Sequence, residues 1–189
     1  MRSSPLLNLP NTLTIFRILL VPLLVVVLLT EIPDKEWFGL GLFLLASLTD
    51  FLDGFIARRQ KKITKLGKLL DPAADKILTS AAFISLVELG VAPAWIVMVI
   101  IARELAVSSL RSFAAAEHVV IAAGWSGKVK TVVQIVAISL LIIYNQLDEF
   151  AHLAPLSLWA ALVVSVYSGI EYFVRFGRLL LRGELTTTS

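Results

Sequence analysis

Apolar residues collect along this chain into six long segments that short polar connectors separate. Each segment is close to the roughly 20 apolar residues that an α-helix needs to cross a bilayer. Unbroken runs of this kind are not typical of outer-membrane barrel strands, which alternate apolar and polar positions over about ten residues. The six predicted spans cover residues 12–30, 37–57, 69–89, 93–115, 129–147 and 151–174.

The composition agrees with this pattern. Of the 189 residues, 58% are hydrophobic and 16% are charged, whereas soluble domains contain about 45–50% apolar and about 25% charged residues. Six crossings use roughly 120 residues, which leaves no room for a second soluble domain. We therefore predict an all-α fold, a single integral membrane domain of six transmembrane helices over residues 1–189. A soluble helical bundle with a very apolar core is the alternative.

The sequence lacks two features, cysteine and a cleavage site after the first apolar segment, and each absence limits the possible chemistry or processing of the protein. The sequence contains no cysteine, which excludes disulfides, iron–sulfur clusters, thiolate zinc sites and a cysteine nucleophile. The first segment has the apolar core of a signal peptide, but Glu31, Ile32 and Pro33 follow it instead of a small-residue cleavage site. We expect this segment to be a retained membrane helix.

Basic residues divide the connectors into two kinds that alternate along the chain. The connectors at 31–36, 90–92 and 148–150 are poor in Lys and Arg. Because connectors rich in these residues stay in the cytoplasm, six spans put both termini on that side. We expect a multi-pass protein of the inner (plasma) membrane with its active site facing the cytoplasm. The basic positions are Arg2, Arg17, Arg58, Arg59, Lys61, Lys62, Lys65, Lys68, Lys128, Lys130, Arg175, Arg178 and Arg182.

Acidic residues enter the second predicted span near its cytoplasmic end. Charged groups inside membrane spans are costly, which makes them candidates for function. Asp50 and Asp53 are three residues apart and therefore share one helix face. Gly54 and Ala57 leave the backbone bare beside these carboxylates, so a bulky ligand can lie close.

A second acidic pair follows where the chain enters the membrane again. Asp71 and Asp75 are four residues apart and also share a face. Pro72 allows two geometries: Asp71 caps a helix that begins at Pro72, or the helix begins near Thr64 and kinks at Pro72. Both geometries put this pair near the cytoplasmic edge, level with the pair on the preceding helix.

Four carboxylates at one level point to a metal. Clustered like charges repel strongly at low dielectric, and a divalent cation relieves that repulsion. An all-oxygen shell without His or Cys suits Mg²⁺ or Mn²⁺. Ion pairs with neighbouring basic residues are the alternative, but Asp50 and Asp53 have no basic residue three or four positions before them. The predicted metal ligands are Asp50, Asp53, Asp71 and Asp75.

Basic residues also enter the fourth predicted span. Arg103 and Arg111 are eight residues apart and lie roughly on one helix face. Arg103 lies too deep to reach the membrane surface easily. Glu104, next to it in sequence, has three candidate partners: either arginine, or Lys76.

Lys128 and Lys130 begin the next helix, beside backbone N–H groups that have no intrahelical partner. Such a helix start makes an anion site. Ordinary anchoring of a cytoplasmic helix end is the alternative for these two lysines. A carboxylate site beside buried arginines and lysines suggests phosphate chemistry.

The aspartates belong to a longer pattern that resembles a known signature. The run Asp50-x₂-Asp53-Gly54-x₂-Ala57-Arg58-x₈-Gly67-x₃-Asp71-x₃-Asp75 is similar, without departure, to the motif of the CDP-alcohol phosphatidyltransferases. The opening segment around Asn11, the Arg103-Glu104 segment and the Gly127–Thr131 segment resemble the bacterial branch whose acceptor is glycerol 3-phosphate. These branch features are less specific than the eight fixed positions of the core motif.

The resemblance implies a six-helix membrane enzyme, usually a homodimer. Such enzymes transfer a phosphatidyl group from CDP-diacylglycerol to an alcohol and release CMP. It implies that Asp50, Asp53 and Asp71 hold divalent metal, and that Asp75 is the catalytic base, with metal contacts of its own. The residues expected to bind CDP-diacylglycerol are Asn11, Gly54, Ala57, Arg58 and Gly67.

The basic residues on the fourth and fifth predicted helices indicate an acceptor that is negatively charged. Glycerol 3-phosphate is a dianion and needs compensating cations, which we expect Arg103, Arg111, Lys128 and Lys130 to supply. Inositol phosphate or phosphatidylglycerol in the same chemistry is an alternative. A divalent-cation transporter is another, but the outer halves of the second and third spans are almost wholly apolar. No nucleic-acid partner is expected.

Two further patterns concern how the helices pack. Four tryptophans near span ends would anchor the helices at the membrane interface: Trp37, Trp95, Trp125 and Trp159. A stripe of small residues on the last span suits close helix contact, either between subunits or within one chain: Ala161, Ser165 and Gly169.

Overall fold

The computed structural model describes residues 9–60, 65–116 and 124–181, with side chains for residues 14–49, 73–116, 124–179 and 181. Within these ranges the regular structure is entirely helical, as predicted. Six α-helices follow the six apolar segments: α1 (Leu9–Leu29), α2 (Lys35–Gln60), α3 (Lys65–Glu88), α4 (Ala94–Ala116), α5 (Trp125–Ile142) and α6 (Leu153–Leu181).

The start of α3 decides between the two geometries left open at Pro72. The helix begins at Lys65, close to the earlier of the two predicted starts, and Pro72 lies inside it. Asp71 is therefore an interior residue of α3 and not its cap. Both Asp71 and Asp75 belong to one continuous helix, which supports the prediction that they share a face.

The end of α5 differs from the prediction. The helix ends at Ile142, before the predicted limit at residue 147, and two short 3-10 helices follow, Tyr144–Gln146 and Asp148–Phe150. The C-cap residue Ile143 has a φ of −94° and a ψ of 16°, a backbone conformation that departs from the α-helical ψ of about −42°. The apolar residues of this stretch extend past Ile142, so hydropathy alone overestimated the length of the helix.

The turn between α3 and α4 is a tight C-terminal cap. Gly90 has a φ of 72°, which glycine adopts without steric cost. Its N–H donates to the carbonyl of Val87 at 2.9 Å, and the N–H of Val91 donates to the carbonyl of Leu86 at 3.0 Å. This pair of bonds is the Schellman motif, and it turns the chain directly into the next helix.

Packing arranges the helices around a continuous apolar core. α1 contacts α2 and α3, while α4 and α5 both contact α6. Arg17 lies inside α1, is fully buried, and donates from Nε to the carbonyl oxygen of Ala46 on α2 at 3.3 Å. Large core side chains include Leu24, Phe43, Leu78, Phe83, Leu86, Ile96, Ile100, Ile138, Leu141 and Leu158.

The outer surface of the bundle is unusually apolar. Every helix exposes at least one large hydrophobic side chain by more than half, for example Leu19, Phe38, Ile84, Met98, Val132 and Val163. Soluble monomers rarely expose contiguous apolar surface on this scale. Among the residues whose side chains the structure describes, two segments are long and apolar enough to cross a membrane by length and composition, Trp125–Ile142 and Asp148–Leu179.

The small-residue stripe on α6 has an internal role. Ala161 and Ser165 are fully buried, and Gly169 is buried as well. α6 packs against α4 and α5, so these residues let neighbouring helices of the same chain approach closely. Of the two uses that the sequence allowed, the structure has the one within the chain.

Candidate functional site

The four predicted metal ligands lie on two helices that pack together. Asp50 and Asp53 belong to α2, and Asp71 and Asp75 belong to α3. Asp75 is partly buried and lines a cavity. The side chains of Asp50, Asp53 and Asp71 lie outside the described residues, as do those predicted to bind the donor: Asn11, Gly54, Ala57, Arg58 and Gly67.

The donor set fits a hard divalent cation. Aspartate carboxylates supply the oxygen atoms that Mg²⁺ and Mn²⁺ prefer, and the spacing puts each pair on one face of its helix. Among the side chains that the structure describes, no three His, Cys, Asp or Glu residues come together. Three of the four predicted ligands are not among those side chains, so this observation does not bear on the predicted site.

A cavity of about 540 Å³ lies among α3, α4, α5 and α6. Its charged lining has six cationic side chains and three carboxylates, an excess of positive charge that suits an anion. It brings together all four residues predicted to bind the acceptor, along with Asp75. The cationic residues are Lys76, Arg103, Arg111, Lys128, Lys130 and Arg175, and the acidic ones are Asp75, Glu104 and Glu171.

Glu104 connects two of these cations. Its Oε1 atom accepts from Arg103 Nη1 at 2.8 Å and from Lys130 Nζ at 2.6 Å. Gln134 Nε2 donates to the same oxygen at 3.4 Å. Of the partners expected for Glu104, Arg103 is confirmed, while the contact with Lys130 was not predicted. Because α4 supplies Glu104 and α5 supplies Lys130, the ion pair joins two helices.

Arg103 also reaches α6. Its Nη2 atom donates to Ser168 Oγ at 2.8 Å, and its side chain lies against Gly169. A Cβ atom at Gly169 would lie 2.9 Å from Arg103 Cγ and 3.2 Å from Nε, so only glycine leaves room for this arrangement. Arg103 is thereby fixed between α4 and α6, and only 11% of its side chain is exposed.

The outer part of the cavity contains residues that the sequence did not assign to a site. Ser126 Oγ and Arg175 Nη2 both donate to the carboxylate of Glu171, which links the start of α5 to α6. The Arg111 guanidinium lies over the ring of Tyr172, 5.6 Å from its centre. The spacing of four between Glu171 and Arg175 inside an apolar segment was the available signal.

The basic cavity adjoins the acidic site. Asp75 and Lys76 on α3 line the same cavity as Glu104 on α4 and Lys130 on α5. This arrangement brings a carboxylate that can accept a proton next to groups that can hold an anion.

Comparison with known proteins identifies the family. The family model described as CDP-alcohol phosphatidyltransferase matches residues 7–167. The chain belongs to the CDP-alcohol phosphatidyltransferase family, whose members generally use a divalent metal. The match ends before the α6 residues that line the cavity, which begin at Ser168.

Several curated proteins are similar along nearly their whole length. A CDP-diacylglycerol–glycerol-3-phosphate 3-phosphatidyltransferase of Bacillus subtilis (strain 168) is 44% identical over 180 residues, 88% of this chain and 93% of the relative. The protein of the same name from Haemophilus influenzae is 38% identical over 180 residues, which cover 92% of this chain and 96% of the relative. A probable phosphatidylglycerophosphate synthase of Mycobacterium tuberculosis is 37% identical over 175 residues, which cover 89% of this chain and 81% of the relative.

The close contact at Gly169 gives a stability prediction. We expect Gly169→Ala to lower the free energy of unfolding by about 1–3 kcal/mol, since the added methyl group displaces the Arg103 stem from a packed position. Gly177 on the same helix has open space around it, so Gly177→Ala should stabilise by about 0.5–1 kcal/mol. Denaturant unfolding of the detergent-solubilised protein measures both, and equal effects would contradict the described contact.

Proposed function

We propose that this protein transfers the phosphatidyl group of CDP-diacylglycerol to glycerol 3-phosphate, giving phosphatidylglycerophosphate and CMP. The observation that carries the proposal is the cationic cavity beside Asp75. Its volume lies within the roughly 300–1,000 Å³ of small-molecule sites, and its excess of positive charge suits a dianionic acceptor. The names of the similar proteins support this acceptor.

The proposal includes a membrane location with six spans and both termini in the cytoplasm. The helices contain 18 to 29 residues, and at about 1.5 Å per residue the shortest is close to the roughly 30 Å of a bilayer core. Exposed apolar side chains on all six helices support contact with lipid. Four exposed tryptophans near helix ends support interfacial anchoring: Trp37, Trp95, Trp125 and Trp159.

In this proposal, the site formed by the four aspartates binds the donor, CDP-diacylglycerol. Asp50, Asp53, Asp71 and Asp75 would hold Mg²⁺ or Mn²⁺, and the bound cation would offset the negative charge of the donor diphosphate. Gly54, Ala57 and Gly67, small residues on the same two helices, would leave room for the cytidine. Arg58 would contact the donor phosphates, and Asn11 would contribute from α1.

Asp75 would act as general base. Its carboxylate would accept the proton of the acceptor hydroxyl, whose oxygen then bonds to the phosphorus that carries diacylglycerol. The bond from that phosphorus to the CMP oxygen breaks, and CMP leaves. The partial burial of Asp75 at the cavity wall supports this role, because the base must lie within hydrogen-bond reach of an acceptor in the cavity.

The cations would bind the acceptor at two depths. Arg111 and Lys128 are exposed, whereas Arg103 and Lys130 are largely buried and paired with Glu104. We assign the phosphate of glycerol 3-phosphate to this group of four. A homodimer is also part of the proposal, with an interface away from the small-residue stripe of α6, because that stripe is buried within the chain.

An acceptor panel tests the proposed activity. Detergent-solubilised protein receives labelled CDP-diacylglycerol with glycerol 3-phosphate, inositol phosphate or phosphatidylglycerol. We expect labelled phosphatidylglycerophosphate from the first acceptor, at least tenfold faster than product from the others, and no product after chelation until Mg²⁺ or Mn²⁺ is restored. A faster reaction with inositol phosphate or phosphatidylglycerol would replace the proposed acceptor, and metal uptake into proteoliposomes without donor would favour a transporter.

Cysteine labelling tests the orientation, and the natural absence of cysteine makes each introduced thiol unique. We expect a membrane-impermeant maleimide to label Asp148→Cys in intact spheroplasts. Lys62→Cys, in the predicted cytoplasmic segment, should react only after the membrane is opened. The reverse pattern would contradict the proposed topology.

Lys128 tests the acceptor pocket with little risk to folding, since its side chain is exposed. Loss of a charged hydrogen bond of about 1.5–3 kcal/mol should raise the KM for glycerol 3-phosphate by roughly tenfold or more in Lys128→Ala. The KM for CDP-diacylglycerol should stay within about twofold. Lys35→Ala, at the opposite end of the bundle, is the control, and equal effects on both substrates would reject Lys128 as an acceptor ligand.

A further inference from the structure

The proposed reaction assigns no role to Glu104, although this residue lies in the cationic cavity. It lines the cavity, only 14% of its side chain is exposed, and a single oxygen of its carboxylate binds both Arg103 and Lys130. A carboxylate repels an anionic acceptor, so binding alone does not explain an acid in this cavity. Its effect must come from the two cations that it contacts.

The contacts show what Glu104 does to those cations. Two positively charged nitrogen atoms bonded to the same oxygen are close neighbours, and without the carboxylate they would repel each other. Ser168 holds the far side of the Arg103 guanidinium from α6, and Gln134 adds a third donor to Glu104 from α5. Side chains of α4 and α5 therefore meet at one carboxylate, and Arg103 extends the contacts to α6.

Donor capacity remains after these contacts. The Lys130 ammonium has three N–H donors and the Arg103 guanidinium has five, and their described bonds use only part of each set. With Glu104 in place, the direction of the remaining donors is fixed by the protein before any ligand enters. Without it, an incoming phosphate would itself become the counter-ion of the two cations.

We propose that Glu104 is a positioning residue, which holds Arg103 and Lys130 as a fixed pair so that they set the depth at which the acceptor phosphate binds. This inference rests on the proposed function. In the absence of the Glu104 charge, the phosphate is drawn further toward the two cations, and the acceptor hydroxyl no longer meets Asp75. Binding then persists while turnover falls.

Glu104→Gln tests this by removing the charge and keeping the size. We expect kcat to fall by about ten- to hundredfold, the range for a misplacement near 1 Å, while the KM for glycerol 3-phosphate stays the same or decreases. Inorganic phosphate, used as a competitor, should inhibit this variant at least fivefold more strongly than the wild type. A purely structural role would lower stability without strengthening inhibition by phosphate.

Two further variants sharpen the test. Glu88→Gln makes the same chemical change at an exposed residue at the end of α3, and should match the wild type in kcat and in phosphate inhibition. Glu104→Asp keeps the charge but shortens the reach by one methylene, and should lower kcat without strengthening inhibition by phosphate. If Glu104→Gln does not fold, the test depends on Glu104→Asp. A kcat of Glu104→Asp equal to that of the wild type would then contradict the proposal.

The outcomes separate this inference from the proposed function. If the wild-type protein makes no product from glycerol 3-phosphate, the proposed function fails. If the wild type is active and Glu104→Gln behaves like Glu88→Gln, only the positioning role fails. A fall in kcat with unchanged inhibition by phosphate also overturns it, as does a raised acceptor KM with wild-type kcat.

Discussion

The compensation of buried charge governs this structure. An unpaired ion in an apolar interior costs several kcal/mol even after relaxation, and this bundle has arginine, lysine and glutamate inside helices whose outer faces are hydrophobic. Three of the described cations show how this cost is met: Arg17 donates to the α2 backbone, and Arg103 and Lys130 share Glu104. In a lipid environment, where the hydrophobic effect does not drive helices together, such polar contacts and close packing decide which helices associate. The ion pairs that compensate these buried charges therefore also join α4 to α5, and the hydrogen bond from Arg103 to Ser168 adds α6.

This constraint divides the cationic cavity into two zones. The inner cations, Arg103 and Lys130, are held by protein contacts before any ligand is bound, whereas Arg111 and Lys128 remain exposed at the outer part. An anion that enters from water meets the exposed cations first and the buried, paired cations last. Fixed donors cost little reorganisation when a ligand arrives, so the inner zone suits the control of position and the outer zone suits capture. Asp75, the proposed general base, lines the same cavity as the inner zone, so the depth at which an acceptor binds would affect proton transfer.

The sequence predicted the helices well because each carries its own signal. Apolar segments of bilayer length predicted all six, and spacings of three and four residues predicted which aspartates share a face. Where two physical rules compete, the sequence left alternatives: proline fits both the first turn and a kinked interior, and the structure has Pro72 inside α3. The end of α5 was misplaced because hydropathy does not report the backbone conformation of Ile143, where the helix stops. Contacts between helices were the hardest to foresee. Spacing relates residues on one helix, so it suggested Arg103 for Glu104 but contained no information about Lys130 on the next.

The extent of the family match relative to the cavity bears on how acceptors are distinguished. The matched residues end at 167, whereas the α6 wall of the cavity is formed by Ser168, Glu171, Tyr172 and Arg175. In the proposed function, residues of α2 and α3 would bind the donor and the metal, and these residues lie inside the match. Discrimination between acceptors requires groups whose contacts differ from one acceptor to another, and those groups line the cavity. Under the proposed function, selectivity for glycerol 3-phosphate would depend on the cations of α4 and α5, which lie inside the match, together with the α6 wall. Glu104 would order the cations between α4 and α5, and Gly169 leaves the room in which Arg103 lies against α6.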